Sequence, residues 1–212
     1  MSLDIKQRVQ NPDEVAKASI AETYNSMGKG CGVRGELCDT SWCLKKSLKI
    51  CSKLSFGSKR DLLLASNNMN TAESYNNRKM SAEALEFYGR SLEIYLDQYG
   101  GMHHTVAHIY QRMASIHLNS KDYVKALECA KRSITILQQI KVANNPAKGS
   151  IYQMMADIYW KQENFKTVLE CWVKIKEMIK PPNFCIFIHG VDFERVLNWI
   201  VTLENLLRRR QR

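Results

Sequence analysis

Apolar positions through the middle of the chain recur at intervals of three and four, the spacing that gathers side chains on one face of a helix. The pattern also repeats as a block. Leu85-Glu86-Phe87-Tyr88-Gly89-Arg90-Ser91-Leu92-Glu93-Ile94 is matched by Leu127-Glu128-Cys129-Ala130-Lys131-Arg132-Ser133-Ile134-Thr135-Ile136. Both are matched in turn by Leu169-Glu170-Cys171-Trp172-Val173-Lys174-Ile175-Lys176-Glu177-Met178. The three blocks start at positions 85, 127 and 169, an even period. A weaker copy starts at position 41, slightly more than one period upstream: Ser41-Trp42-Cys43-Leu44-Lys45-Lys46-Ser47-Leu48-Lys49-Ile50. Self-similarity at such a period predicts stacked supersecondary units, each too small to bury its apolar face alone.

Each strong copy is preceded by a second pattern: Ala72-Glu73-Ser74-Tyr75, Ala114-Ser115-Ile116-His117 and Ala156-Asp157-Ile158-Tyr159. Twelve residues after the leading alanine come Ala84, Ala126 and Val168. Small residues at both places let two antiparallel helices approach closely, and the aromatic fills the space beside them. The polar stretches Asn76-Asn77-Arg78-Lys79, Asn119-Ser120-Lys121-Asp122 and Lys161-Gln162-Glu163-Asn164 supply turn and capping chemistry between them. This small–x–x–aromatic step with a later small residue resembles the tetratricopeptide repeat, and the long period resembles the subtype found in kinesin light chains. Gly101-Met102-His103-His104-Thr105-Val106-Ala107 is similar to that subtype's Gly…His-Pro-x-Val-Ala entry, with His104 in place of proline. The resemblance covers residues 60–180 well, residues 14–52 loosely and the last thirty hardly at all. It implies an all-α fold, a right-handed superhelical solenoid of antiparallel helical hairpins whose first helices line a concave groove.

The ends of the chain depart from the pattern. Ala21-Glu22-Thr23-Tyr24 resembles a first helix, but its second-helix partner, Thr40, lies farther on than the step of twelve in the other copies. The expectation is about seven extra residues within Gly28–Gly35, either an inserted loop or a decayed hairpin. Pro181-Pro182 ends the last repeat. Phe184-Cys185-Ile186-Phe187-Ile188 reads as an extended run or a buried turn. Phe193, Val196, Leu197, Ile200, Leu203 and Leu207 then share one helical face, predicting an amphipathic helix that caps the array. The predicted organisation is a degenerate hairpin with a Gly/Cys/basic loop over 1–58, three hairpins over 59–180, and a connector, capping helix and basic tail over 181–212.

Composition narrows the chemistry. At 212 residues and 45% hydrophobic content, the chain can bury a core without metal or disulfide. Its net charge of +10 is concentrated in the first sixty residues and in Arg208-Arg209-Arg210-Gln211-Arg212, and favours acidic partners. No apolar run approaches the roughly 20 residues that cross a bilayer, and Met1–Lys6 lacks a secretory pattern. Seven scattered cysteines read as reduced thiols, hence a cytoplasmic location. Cys43, Cys129 and Cys171 share the place of Phe87 and are expected to be packing positions, leaving Cys31, Cys38, Cys51 and Cys185 unassigned. No Cys-x-x-Cys pair suggests structural zinc. His104 and His108 could share a helix face as two metal ligands would, but His103 and His104 are expected in the connector with Thr105 capping the next helix. His117, in a tyrosine position, is expected in the core. Gly28-Lys29-Gly30-Cys31-Gly32 has neither the spacing nor the preceding strand of a phosphate loop. No catalytic, cofactor-binding or metal residue is assigned, and the chain reads as a non-enzyme without cofactor.

The groove expected from the repeat is lined by Asn67, Asn70, Glu73 and Asn77, then His108, Ile109, Arg112, Ser115 and Asn119, then Tyr152, Met154, Asp157 and Lys161. Such side chains hydrogen-bond the backbone of an extended peptide. Chaperone-binding tetratricopeptide domains clamp a carboxylate with Lys and Asn. Asn70 and Arg112 fall on matching positions and His108 replaces a lysine, while Ala18 and Glu22 leave the clamp incomplete. The resemblance to kinesin light chains implies short peptides with an aromatic among acidic residues. The sequence therefore predicts a protein-interaction adaptor or scaffold, in the manner of cargo-adaptor or cytoskeletal complexes, binding an acidic peptide or partner helix. An RNA-binding helical repeat is the alternative, disfavoured because Glu73 and Asp157 interrupt the face; an incomplete-clamp co-chaperone is the second. Three clear hairpins are near the minimum for a stable array, so self-association or a longer parent is compatible with the sequence.

Overall fold

A computed structural model describes residues 12–55, 57–140 and 146–178, together with 198, 200–202 and 205. Its elements are α1 (Pro12–Arg34), α2 (Leu37–Cys51), α3 (Ser58–Asn77), α4 (Ser81–Tyr99), α5 (His104–Asn119), α6 (Tyr123–Gln139), α7 (Pro146–Lys161) and α8 (Phe165–Met178). The described residues contain no strand. Successive helices pair as hairpins, α1 with α2, α3 with α4, α5 with α6 and α7 with α8. The chain divides into two compact units, Met1–Gly101 and Met102–Arg212. Within the first, α3 packs on both α1 and α2; within the second, α7 packs on α6 and α5.

All four hairpins turn in the same way. Gly35, Lys79, Lys121 and Glu163 adopt left-handed backbone, with φ of 79, 60, 62 and 55°. The next residue's N–H then reaches back to close the helix: Glu36 to Cys31, Met80 to Tyr75, Asp122 to His117 and Asn164 to Tyr159, at 2.9–3.0 Å. This is the Schellman closure, which satisfies carbonyls that the helix end would otherwise orphan. A side chain in left-handed backbone crowds its own carbonyl, a strain glycine lacks. Lys121→Gly is therefore expected to raise stability by about 0.5–1 kcal/mol, seen as a higher urea midpoint. A lower midpoint would sink this account of the turn.

The turns also correct the first hairpin. Gly35, Lys79, Lys121 and Glu163 follow one another at a near-constant interval, which puts all four hairpins in one register. Helix α1 continues to Arg34. Gly28–Gly35 therefore holds no inserted loop; it is the end of α1 and its closing turn. Gly28 stands where Ala72, Ala114 and Ala156 stand, and Ala21 matches Ala65 and Ala107. Tyr24 is a false landmark, because the place of Tyr75 is filled by Cys31. A Cβ on Gly28 would lie 2.9 Å from Leu44, so this glycine permits close helix approach rather than a flexible loop.

A second series runs through the hairpin interiors. The Ser47 hydroxyl donates to the Ala21 carbonyl at 2.7 Å, Ser91 to Ala65 at 2.8 Å and Ser133 to Ala107 at 2.6 Å. The corresponding positions of the last hairpin hold Ile175 and Gly149, both buried, so that hairpin has no serine at this place. Cys43, Cys129 and Cys171 are buried as expected of packing positions, and burial pushes the Cys171 thiol up to about 11. Phe87, at the same place, stacks on Tyr75 with ring centroids 5.4 Å apart. Cys31 and Cys51 are buried too, the former taking a contact from Arg34 Nη2 at 3.4 Å. The side chains of Cys38 and Cys185 lie outside the described residues.

Side-chain caps start three of the helices, while α2, α3 and α4 begin without one. Asp122 accepts from the Lys125 N–H at 3.2 Å and Asn164 from Thr167 at 3.4 Å. At α5 the cap is His103, not Thr105: extended backbone lets its Nδ1 accept the Thr105 N–H at 3.3 Å, and His104 begins the helix. Further along α5, His117 occupies the tyrosine place and is largely buried. Burial lowers its pKa below the ordinary 6.5, against the pull of Asp122 at 3.9 Å. A histidine with a depressed folded-state pKa contributes stability above its unfolded pKa that is lost as pH falls. The urea midpoint is thus expected to drop between about pH 7 and pH 5.5, less so in His117→Tyr. Burial lowers His103 as well, so the variant should flatten the profile without abolishing it. An unchanged slope in His117→Tyr would remove His117 from the account.

Of the expected capping helix, residues 198, 200–202 and 205 are described and helical, with Ile200 buried and Val201 exposed. The rest of that segment, with Phe184–Ile188 and the arginine tail, lies outside the described residues. No described helix is long and apolar enough to cross a membrane. Among the described residues no three His, Cys, Asp or Glu side chains converge as metal ligands would.

Candidate protein-binding face

In the first unit the exposed flank of the first helices is organised by Asn25. This side chain is 6% exposed. Its Nδ2 donates to Ser66 Oγ at 2.8 Å and its Oδ1 accepts from Asn70 Nδ2 at 2.8 Å, so one amide joins α1 to two turns of α3. Asn70, a groove candidate, is therefore partly committed to holding its neighbour. Glu73 is committed as well: it accepts at 2.7 Å from the hydroxyl of Tyr88, a tyrosine of α4 with no exposed surface. Asn77 stands exposed at the end of α3.

Two of the candidates are core instead. Asn67 and Ile109 are each 0% exposed. They sit three residues before Asn70 and Arg112, a rotation of about 60° that turns them inward. Ile151, buried in the second unit, holds the same place. Among the described residues the Asn67 amide has no hydrogen-bond partner.

In the second unit, α5 carries His108, Arg112 and Asn119 exposed, with Ser115 half-buried between them. Arg112 Nε donates to His108 Nε2 at 3.3 Å, aligning the two along the helix. Gln111 Nε2 donates to Ser150 Oγ at 3.2 Å, joining α5 to α7 in the register of the Asn25–Ser66 bond. On α7, Met154 is half-buried while Asp157 and Lys161 are exposed. Nearby protein raises the Asp157 carboxyl above its ordinary value by displacing water, and Lys161 opposes the shift. Tyr152 leaves the group: its hydroxyl accepts from Gln138 Nε2 of α6 at 3.1 Å, which places it between hairpins.

The amide–serine clasps of Asn25 and Gln111 are absent from the sequence-based expectations. Their signal is present in the repeat, since both amides lie three residues before the small residue of the first helix, Gly28 and Ala114. It is hidden when Ala21 is given the position of Gly28. The same correction replaces Ala18 and Glu22, the expected clamp positions, by Asn25 and Lys29.

The fold and its faces are those of a helical-hairpin repeat protein. Residues 62–139 match the family model of the tetratricopeptide repeat. Its fold is similar to that of BtubC (BKLC) from P. vanneervenii, at 14% identity and a TM-score of 0.70, over 96% of this chain and 79% of that one. A putative kinesin light chain of Podosopora anserina with nearly identical TPR-like repeats matches at 11% identity and 0.66, over 92% and 90% of the two chains. Aspartyl phosphate phosphatase F from Bacillus subtilis matches at 13% and 0.72, over 89% of this chain but 50% of that one. No curated protein sequence matches the chain.

Proposed function

We propose that the chain is a protein-interaction adaptor that binds a peptide or helix of another protein along the exposed flank of its first helices. The observation that carries this reading is the stripe on α5. His108, Arg112, Ser115 and Asn119 recur at helical spacing on one face, while the adjoining positions are filled by buried Val106, Ile109 and Ile116. A polar stripe on a rigid helix suits an extended chain that seeks hydrogen bonds, and Arg112 with Lys161 favours an acidic one. Asn25 weighs against the carboxylate clamp, because both ends of its amide are already bonded to Ser66 and Asn70. Glu22 and Asp157 remain exposed on the first helices, which disfavours RNA. A cytoplasmic setting agrees with the buried free thiols.

Selection of a phage-displayed random peptide library on the purified full chain tests the proposal. Enriched peptides are expected to be acidic and to lose about tenfold in affinity to His108→Ala/Arg112→Ala. Enriched peptides that bind this variant as tightly as the parent would overturn it.

A further inference from the structure

We infer that the first hairpin carries a separate docking surface, on the flank turned away from α3, for an acidic amphipathic helix of another protein. Asn25 marks the α3-facing side of α1 through its bonds to Ser66 and Asn70. Lys17, Ile20 and Tyr24 lie about 80–140° round the helix from it, beyond the line where α1 meets α2. With Lys46, Lys49 and Ile50 of α2 and Lys53 in the turn after it, they line an open cleft of about 410 Å³. Its floor is apolar, and Ile20 is 50% exposed there. The apolar surface continues onto Trp42, which is 52% exposed and packs edge-on to Tyr24 at 5.7 Å.

The charges are one-sided. Lys17 pairs with Asp13 on its own helix, and Lys46 lies over the Trp42 ring at 5.4 Å. Among the described residues, the ammonium groups of Lys46, Lys49 and Lys53 meet no carboxylate. The shape indicates what belongs there. A groove between two antiparallel helices accepts a third helix, as the opposite side of this hairpin accepts α3. The isoleucine–tyrosine floor calls for apolar side chains recurring every three or four residues, and lysines on both rims call for carboxylates beside them. A second copy of this chain fits poorly, since each carries a net charge of +10.

The test is fluorescence anisotropy of the full chain with a labelled synthetic peptide of about four helical turns, leucine at every third and fourth position and glutamate elsewhere. The peptide is expected to bind, to weaken as salt rises, and to lose about tenfold or more in affinity to Lys49→Glu/Lys53→Glu. Both lysines are solvent-exposed, and circular dichroism checks that the variant stays folded. A lysine-for-glutamate peptide and a glutamine-for-leucine peptide are expected not to bind. The inference fails if the glutamate–leucine peptide does not bind, if glutamine replaces leucine without loss, or if Lys49→Glu/Lys53→Glu leaves affinity unchanged. It fails also if phosphatidylserine vesicles are captured through these lysines while the peptide is not. Loss of the peptide in His108→Ala/Arg112→Ala would place it on α5 instead, overturning this surface and leaving the other intact.

Discussion

Gly28→Ala is expected to lower the stability of the full chain by about 1–3 kcal/mol, although alanine favours a helix over glycine by about 1 kcal/mol. Packing decides the sign. The new methyl would stand 2.9 Å from both Cγ and Cδ2 of Leu44 and 3.3 Å from Cys43 Cβ. Leu44 is 3% exposed and Cys43 likewise, so neither has free space to retreat into. Either the leucine leaves its rotamer or α1 and α2 separate, and separation would stretch the Ser47–Ala21 bond as well. Gly30→Ala is the internal control. The nearest atom to its new methyl would be Arg34 Nη1, one turn along the same helix at 3.8 Å, an ordinary contact with a long side chain. That variant should gain about 0.5–1 kcal/mol. Urea unfolding followed by circular dichroism compares the two. If Gly28→Ala gains as Gly30→Ala does, close approach is not what holds the first hairpin.

Asn67→Ile is expected to move stability in the opposite direction, by about 1–3 kcal/mol upward. Among the described residues, the Asn67 side chain has given up water without gaining a hydrogen bond, and the Thr71 hydroxyl one turn later is also buried without a partner. Isoleucine already fills the same register at Ile109 and Ile151, each 0% exposed. The substitution removes the polar penalty and adds apolar burial, and asparagine is no better a helix former than isoleucine. A fall in the urea midpoint would mean that the amide is bonded in solution and that Asn67 belongs to the working surface after all.

These expectations also mark how far the sequence can be read. Sequence periodicity is sufficient for the hairpins, because Ala72, Ala114 and Ala156 announce close helix approach and the turn sequences fall at matching intervals. It identifies Cys43, Cys129 and Cys171 as packing positions for the same reason: three copies of one place, compared with Phe87, reveal an environment that no single cysteine could. The first hairpin is harder. Its small residue is glycine and its aromatic place holds cysteine, so Ala21 and Tyr24 offer a better local match too early in the chain. Only the contact of Gly28 with Leu44 and the left-handed turn at Gly35 settle the register.

The candidate face divides along the same line. Helical spacing alone brings His108, Arg112, Ser115 and Asn119 onto one flank of α5, since that depends on about 100° per residue and nothing else. Whether a polar residue on such a flank is available depends on its neighbours from other helices. Asn70 is held by Asn25, a full repeat away, and Glu73 by Tyr88 of the next helix. Tyr152 is turned toward Gln138. The lysine-rimmed cleft has a similar origin, because it joins side chains of α1 to side chains of α2 that stand far apart along the chain. Period, hairpins and turn chemistry were determined by the sequence itself, being carried by local backbone geometry and by repetition. Register of the first hairpin, the burial of Asn67 and the partners of each polar side chain were decided by tertiary structure, because they depend on which helix lies against which.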